Sequence, residues 1–217
     1  TDPGQLPEVV SQAHWSRRRA SSDFIIAGRG PSGEIRAILG DVTGRGLGAA
    51  LAVQPIVDAF EGAVSTTRSA SHLLAHVNAA IRRRLPRGFF CAAAMVELSP
   101  DQRRYSVWNC GLPDVMLVSH GQRLPRFPSN HPPLGVLDDW ELERIRIDGE
   151  RGWNEPILLC TDGAVKVNAL KGEKLGVVGL EKLMGKVRGC EDLAGEGLKA
   201  VMEVAWPRLP GDDVTIV

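Results

Sequence analysis

The chain has 217 residues, 43 % of them hydrophobic, and its 26 Lys and Arg balance its 26 Asp and Glu. That is enough apolar material for one sizeable core. Zero net charge removes the general attraction that a nucleic-acid or membrane-surface partner would exploit, and no stretch reads as the ~20 apolar residues of a membrane span.

Segments 9–15, 24–27 and 34–39 are short, rich in β-branched or aromatic residues, and read as strands. The separator Gly28-Arg29-Gly30-Pro31-Ser32-Gly33 is of hairpin type, which makes the second and third antiparallel neighbours. From Leu47 the texture changes: Ile56, Val57, Ala59, Phe60 and Val64 are apolar at helical spacing, so a helix begins just after a Gly-Arg-Gly turn. A second helix is capped by Ser69 or Ser71, carries Leu73, Leu74, Val77, Ala80, Ile81 and Leu85, and is closed by Pro86. Runs 89–98, 105–109 and 115–119, split by Ser99-Pro100-Asp101 and Gly111-Leu112-Pro113, predict a β-meander. Segments 141–147 and 157–160 add two strands, 180–187 and 193–206 two helices, and 214–217 a last strand.

Strands, then two long helices, then strands and helices again is the order of an α+β protein rather than of an alternating parallel-sheet fold. Two antiparallel sheets packed face to face and covered by helices is an economical solution, and a single domain over 1–217 is expected. The chain lacks an initiator Met and stops at Val217 inside an apolar run, so it reads as a domain cut from a longer protein. Its start, Thr1-Asp2-Pro3-Gly4, lacks the basic and apolar regions of a signal peptide. A cytoplasmic location is the expectation. Basic runs at 17–19 and 82–84 are only three residues long and read as solvated surface.

Nucleophilic cysteine chemistry is disfavoured by spacing. Cys91, Cys110, Cys160 and Cys190 stand singly, and the arginine that a phosphotyrosine-phosphatase cysteine needs six positions on is replaced by Glu97, Met116, Lys166 and Glu196. His72 and His76 are spaced i, i+4 but lack the glutamate of H-E-x-x-H, and His14, His120 and His131 are isolated.

The aspartates carry more information. Ser21-Ser22-Asp23-Phe24, Gly40-Asp41-Val42-Thr43-Gly44-Arg45-Gly46, Cys160-Thr161-Asp162-Gly163 and Gly211-Asp212-Asp213-Val214-Thr215 each set an aspartate at the edge of a β-prone run. A lone aspartate in such a place is usually a turn or a cap. Four in matching contexts point instead to carboxylates converging on divalent metal, because Mg²⁺ and Mn²⁺ favour carboxylate, carbonyl and water oxygens.

The order and spacing of these motifs resemble the SpoIIE/RsbU group of metal-dependent protein serine/threonine phosphatases, in the PPM or type 2C superfamily. The family's Gly-Gly-Asp-Phe-Tyr-Asp is matched by residues 21–26, its Gly-Asp-Val-Ser-Gly-His-Gly by Gly40 to Gly46, and its Ala-Ala by Ala49-Ala50. Leu74, Val77, Asn78 and Ile81 are similar to its Leu-Leu-x-x-Leu-Asn segment, and Phe90-Cys91-Ala92-Ala93 to its Phe-Val-Thr-Ala strand. Asn109-Cys110-Gly111-Leu112-Pro113, Pro133-Leu134-Gly135, Thr161-Asp162-Gly163 and Asp212-Asp213-Val214-Thr215 then follow in the family's order.

The resemblance implies a four-layer αββα sandwich with two divalent cations, Mn²⁺ or Mg²⁺, at one end of the sheets. Asp41 would bridge the ions, the Val42 carbonyl would complete the second site, and Asp162 and Asp212 would hold the first. Asp23 would bind through water or support a weaker ion, and Asp213 would stand behind the ligands. Arg45 stands where the family usually has His, and it reads equally as a contact to substrate phosphate or as a solvated turn arginine. Such a pair, ~3.5–4 Å apart, activates water for attack on phosphorus without a protein nucleophile. The implied substrate is a phosphoserine or phosphothreonine on a regulatory protein of the anti-sigma-factor-antagonist kind. An upstream sensor or two-component receiver domain outside this chain is implied too, and a homodimer is compatible with it.

Ile26, Leu112 and Lys166 depart from the family pattern, and none of them is an implied ligand. Two other readings stay open from the residues: a non-catalytic module of the same fold that captures a regulatory protein, and a two-metal nuclease, which the lack of a basic groove signature disfavours.

Overall fold

The Gly28–Gly33 turn folds β2 (Asp23–Arg29) back on β3 (Ile35–Val42) in the predicted antiparallel hairpin, with Arg29 opposite Ile35 and Asp23 opposite Asp41. In this computed structural model the described residues are 10–16, 21–44, 46–118, 125–138, 142–152, 155–168, 173–187, 192–205 and 210–217. Arg45, the basic run at 17–19, His120 and Cys190 lie outside them.

β3 also pairs with β4 (Cys91–Leu98), β4 with β5 (Arg104–Cys110), and β5 with β8 (Ile147–Glu150), giving one antiparallel sheet in the order β2-β3-β4-β5-β8. β6 (Val115–Leu117) lies between β7 (Arg126–Phe127) and β9 (Ile157–Leu158), while β1 (Ala13–Trp15) pairs with β10 (Val214–Ile216). The chain beyond β9 joins these two ribbons: Leu159 and Val217 exchange amide hydrogen bonds of 3.0 Å, and Cys160 bridges Ile216. The second layer therefore runs β7-β6-β9-β10-β1.

Alternation along the strands sorts side chains into separate cores. Leu39, Ala94, Val96 and Val107 of the first sheet meet Val115, Leu117, Phe127 and Leu159 of the second. Their neighbours Ile38, Met95 and Trp108 point the other way, onto Ile56 and Phe60 of α1 (Leu47–Val64) and Leu73, Leu74 and Val77 of α2 (Ala70–Arg84). On the far side Met116, Leu158, Cys160, Val214 and Ile216 pack on Leu180 and Met184 of α4 (Gly176–Met184) and Val201 of α5 (Leu193–Ala205). The αββα order follows.

Ser69 caps α2, its hydroxyl accepting from the His72 amide at 3.3 Å. Arg36 occupies a β3 position that alternation alone would assign to solvent. Helices cover that face, and the guanidinium is fully buried. It donates to Glu97 at 2.6 Å, to the Val64 carbonyl at 3.3 Å and to the Arg68 carbonyl at 2.7 Å, so it satisfies the end of α1 and the turn into α2. Among the described residues α1 is also the one helix long and apolar enough to cross a membrane, against the expectation that no stretch is. Its Ile56, Ala59, Phe60 and Val64 are spent in the core.

Three expectations shift, the first being the β-meander over 89–98, 105–109 and 115–119: β4 and β5 pair, but β6 crosses to the second layer and lies between β7 and β9. The strand expected over 141–147 lies at Ile147–Glu150, because Leu142 and Ile145 both pack on the α1/α2 side of the sheet, a spacing of three that a strand does not offer. The helix expected over 180–187 starts at Gly176, since Val177, Leu180 and Met184 form its apolar stripe. The two-residue β7 and the one-turn α3 (Asp162–Val165) are too short to leave a periodic signal.

Candidate metal centre

Four loops and strand ends meet at one end of the sandwich. Asp23 opens β2 and Asp41 nearly closes β3, and the hairpin register sets them side by side. After Asp41 the chain must leave the sheet within a few residues. Gly44 and Gly46 do this with φ of 116° and 72°, values costly for any residue with a Cβ, and α1 then starts at Leu47. Asp162 sits in the first turn of α3, and Asp212 and Asp213 sit just before β10.

Gly163 explains why the second pair of motifs can adjoin. A Cβ there would lie 1.9 Å from the Asp213 carbonyl oxygen, so only glycine lets α3 press on the backbone of the 212–213 loop. Gly163→Ala is expected to push α3 off that loop and to lower any activity of the site by at least about 100-fold, in line with the cost of misplacing reacting groups by an ångström. The check is kcat/KM beside a far-ultraviolet dichroism spectrum. A folded Gly163→Ala variant with full activity would show that the close approach is dispensable.

The two sheets are stitched together at Asp23. Its carboxylate accepts hydrogen bonds from the Thr161 hydroxyl at 2.8 Å and the Thr215 hydroxyl at 2.6 Å, both on the opposite layer. Thr161 Oγ1 also accepts from the Thr215 amide at 3.0 Å, and His14 Nδ1 lies 2.8 Å from Thr215 Oγ1. On the first sheet Ser22 donates to Asp41 at 2.9 Å. Asp213 accepts from the Ser16 hydroxyl at 2.9 Å, and Asp212 from the Asp213 amide at 3.1 Å. Thr161, Thr215, Ser22 and His14 were not singled out from sequence as site residues. The two threonines lie inside the Thr-Asp-Gly and Asp-Asp-Val-Thr motifs, which was the available signal.

Electrostatics set Asp23 and Asp41 apart from ordinary turn aspartates. Burial pushes Asp23 up to about 6, with the charges of Asp213 and Asp162 adding to it and the two threonine hydroxyls opposing it. Burial also pushes Asp41 up to about 7, with Asp23, Asp162 and Asp212 raising it and Ser22 opposing. Several carboxylates thus share a partly dehydrated space with too little positive charge to balance them. The donor set is oxygen only, which fits a hard divalent cation rather than zinc or copper. Among the described residues no three such groups stand close enough together to chelate one ion, and Lys166 Nζ contacts Asp162 Oδ2. Cys91, beneath Asp41, is fully buried with its thiol held well above its usual range, first by burial and then by the Asp41 charge, so a thiolate has no part here.

Residues 31–217 match the family described as stage II sporulation protein E, SpoIIE. The chain belongs to the SpoIIE family. No curated protein matches it by sequence. Among solved structures it is similar to the SiaA-PP2C domain of Pseudomonas aeruginosa, at 16 % identity and TM-score 0.80 over 98 % of this chain and 84 % of that one. It is also similar to the RsbU and RsbW domains of a Mycobacterium tuberculosis protein, at 18 % identity and TM-score 0.78 over 95 % of this chain and 59 % of that one. RsbX solved in complex with magnesium matches at 14 % identity and TM-score 0.68, over 94 % and 90 %.

The SpoIIE-family fold also accounts for two asparagines in the motifs. Asn78 accepts from the Gly135 amide at 2.6 Å and donates to the Leu137 carbonyl at 3.1 Å. Asn109 donates to the Pro113 and Phe127 carbonyls at 2.9 and 3.1 Å. Both pin loops rather than reach the carboxylates.

Proposed function

We propose that this SpoIIE-family domain is a metal-dependent phosphoprotein phosphatase that hydrolyses phosphoserine or phosphothreonine on a regulatory protein. The observation that carries the reading is the convergence of Asp23 and Asp41 from one sheet with Asp162 and Asp212 from the other, at a site where burial and mutual repulsion call for positive charge. Asp41 is assigned as the bridging ligand, with the Val42 carbonyl, Asp162 and Asp212 completing the pair of sites for Mn²⁺ or Mg²⁺. Asp23 is assigned to a water-mediated or weaker site, and Asp213 to support. When bound, two such ions make water acidic enough to attack phosphorus and neutralise the phosphoryl oxygens.

The chain's own residues do the positioning. Thr161 and Thr215 hold the Asp23 carboxylate, Ser22 orients Asp41, and the Gly163–Asp213 contact sets α3 against the 212–213 loop. Family membership and the likeness to the RsbU–RsbW chain support a regulatory protein as substrate, of the anti-sigma-factor-antagonist kind. The same grounds support a cytoplasmic setting under an upstream sensor or receiver domain, and the magnesium in RsbX supports a divalent cation. Arg45 is assigned to substrate phosphate from the motif alone.

Purified domain incubated with a phosphoserine peptide and Mn²⁺ should release phosphate, and chelator or Asp162→Asn should stop it. A rival reading, a non-catalytic module that captures a regulatory partner, draws on the Lys166 contact with Asp162. Folded protein that turns over neither peptide nor a small phosphomonoester in Mn²⁺ or Mg²⁺, yet binds a partner unchanged in chelator, would favour that rival.

A further inference from the structure

Lys166 has no place in the chemistry above, yet it touches the site. The single turn of α3 closes with the Lys166 amide donating to the Asp162 carbonyl at 2.9 Å, which puts the two side chains on one face at i, i+4 spacing with the acid first, the favourable order. Its Nζ then rests on Asp162 Oδ2. The charges of Asp212 and Asp41 bear on the same ammonium, so it lies within the field of the carboxylate cluster and not merely beside one surface acid. The turn carrying it is itself held fast, because Gly163 is pressed against the Asp213 backbone.

We infer that Lys166 is a tethered counter-ion of the carboxylate cluster, competing with a divalent cation for Asp162. The inference rests on the metal-centre reading. A cation ligated through Asp162 Oδ2 must displace the ammonium, and on either oxygen the tethered charge stays within reach and repels the incoming dication. Metal affinity is therefore lower than the carboxylates alone would give, and occupancy follows the free metal concentration. In return, the cluster retains some positive charge when no metal is bound. The plain alternative is an incidental ion pair: the Lys166 side chain is 56 % exposed and that of Asp162 36 %, and pairs of that kind contribute little to stability. The two accounts differ in what removing the ammonium does to metal binding.

The test is calorimetric titration of Mn²⁺ into the metal-stripped domain, wild type against Lys166→Gln, at pH 7 and low salt, with thermal melts in chelator confirming that both are folded. Lys166→Gln should bind Mn²⁺ about 5- to 10-fold more tightly, and the gap should narrow in 0.5 M NaCl as screening weakens the repulsion. Equal finite affinities, or weaker binding by Lys166→Gln, would overturn the counter-ion role while leaving the metal centre standing. Cooperative melts with no Mn²⁺ or Mg²⁺ binding by either protein would remove the metal centre, and the inference with it.

Discussion

Asp41→Asn should abolish phosphate release, by at least about 10³-fold, while making the metal-free domain more stable. The loss of activity follows from removing the carboxylate assigned to both ions. The gain in stability follows from the pKa shift. Asp41 ionises near its ordinary 3.8 in the unfolded chain but only at about 7 in the fold, chiefly because burial and then Asp23 disfavour its charge. The folded state therefore binds more protons than the unfolded state between those values, and stability falls as pH rises through that window. Above pH 7 the cost is complete. An asparagine of similar shape carries none of it and can still accept from Ser22, so the variant should exceed wild type by about 1–3 kcal/mol at pH 8, once the shift is discounted for partial exposure. At pH 4 the two should converge.

Chemical denaturation in chelator at pH 8 and pH 4 reads this directly. Saturating Mn²⁺ should reverse the order at pH 8, since a cation that binds only the folded state stabilises the protein that holds it better. An Asp41→Asn variant that unfolds more easily than wild type at pH 8 in chelator would mean that the carboxylate is structurally required rather than electrostatically strained.

Arg36→Met should cost about 3–5 kcal/mol, the range for removing one member of a buried ion pair. The guanidinium is fully buried and joins Glu97 to the carbonyls of Val64, Thr67 and Arg68. Methionine fills much of the volume but donates nothing, leaving Glu97 and the end of α1 unsatisfied. Against a total stability of about 5–15 kcal/mol for a domain, that is a large share. Arg36→Lys should rescue little, because one ammonium cannot reproduce donors spread over three nitrogens. Urea midpoints for the two variants decide it. A loss below about 1 kcal/mol in Arg36→Met would show that water satisfies the carbonyls.

Arg36 also marks a limit of reading along the chain. Ile35-Arg36-Ala37 looks like a strand turning a charge to solvent, and nothing local says that two helices cover that face. The hairpin, by contrast, was legible: its Gly-rich turn and flanking apolar runs predict the antiparallel pair, and the structure adds the register in which Asp23 faces Asp41. The α1 boundary was legible too, because a strand that ends on Asp41 and is followed by three glycines in seven residues must turn before helical spacing begins. The segment after His131 misled, since the alternation Arg144-Ile145-Arg146-Ile147 mimics a strand while Leu142 and Ile145 pack as a turn.

By itself the sequence determined the elements with strong periodicity, the α+β order, the aspartates at the strand ends and the motif order that resembles the family. These are properties of the chain read in order, each element or motif carried by spacing within a few residues. The tertiary structure alone decided which groups surround those aspartates. Thr161 and Thr215 reach Asp23 from 138 and 192 residues away, and Lys166 comes to bear on Asp41 across the sandwich. Such contacts follow from how the two sheets stack, and burial, which shifts Asp23 and Asp41 so far, exists only once both layers and their helices are in place.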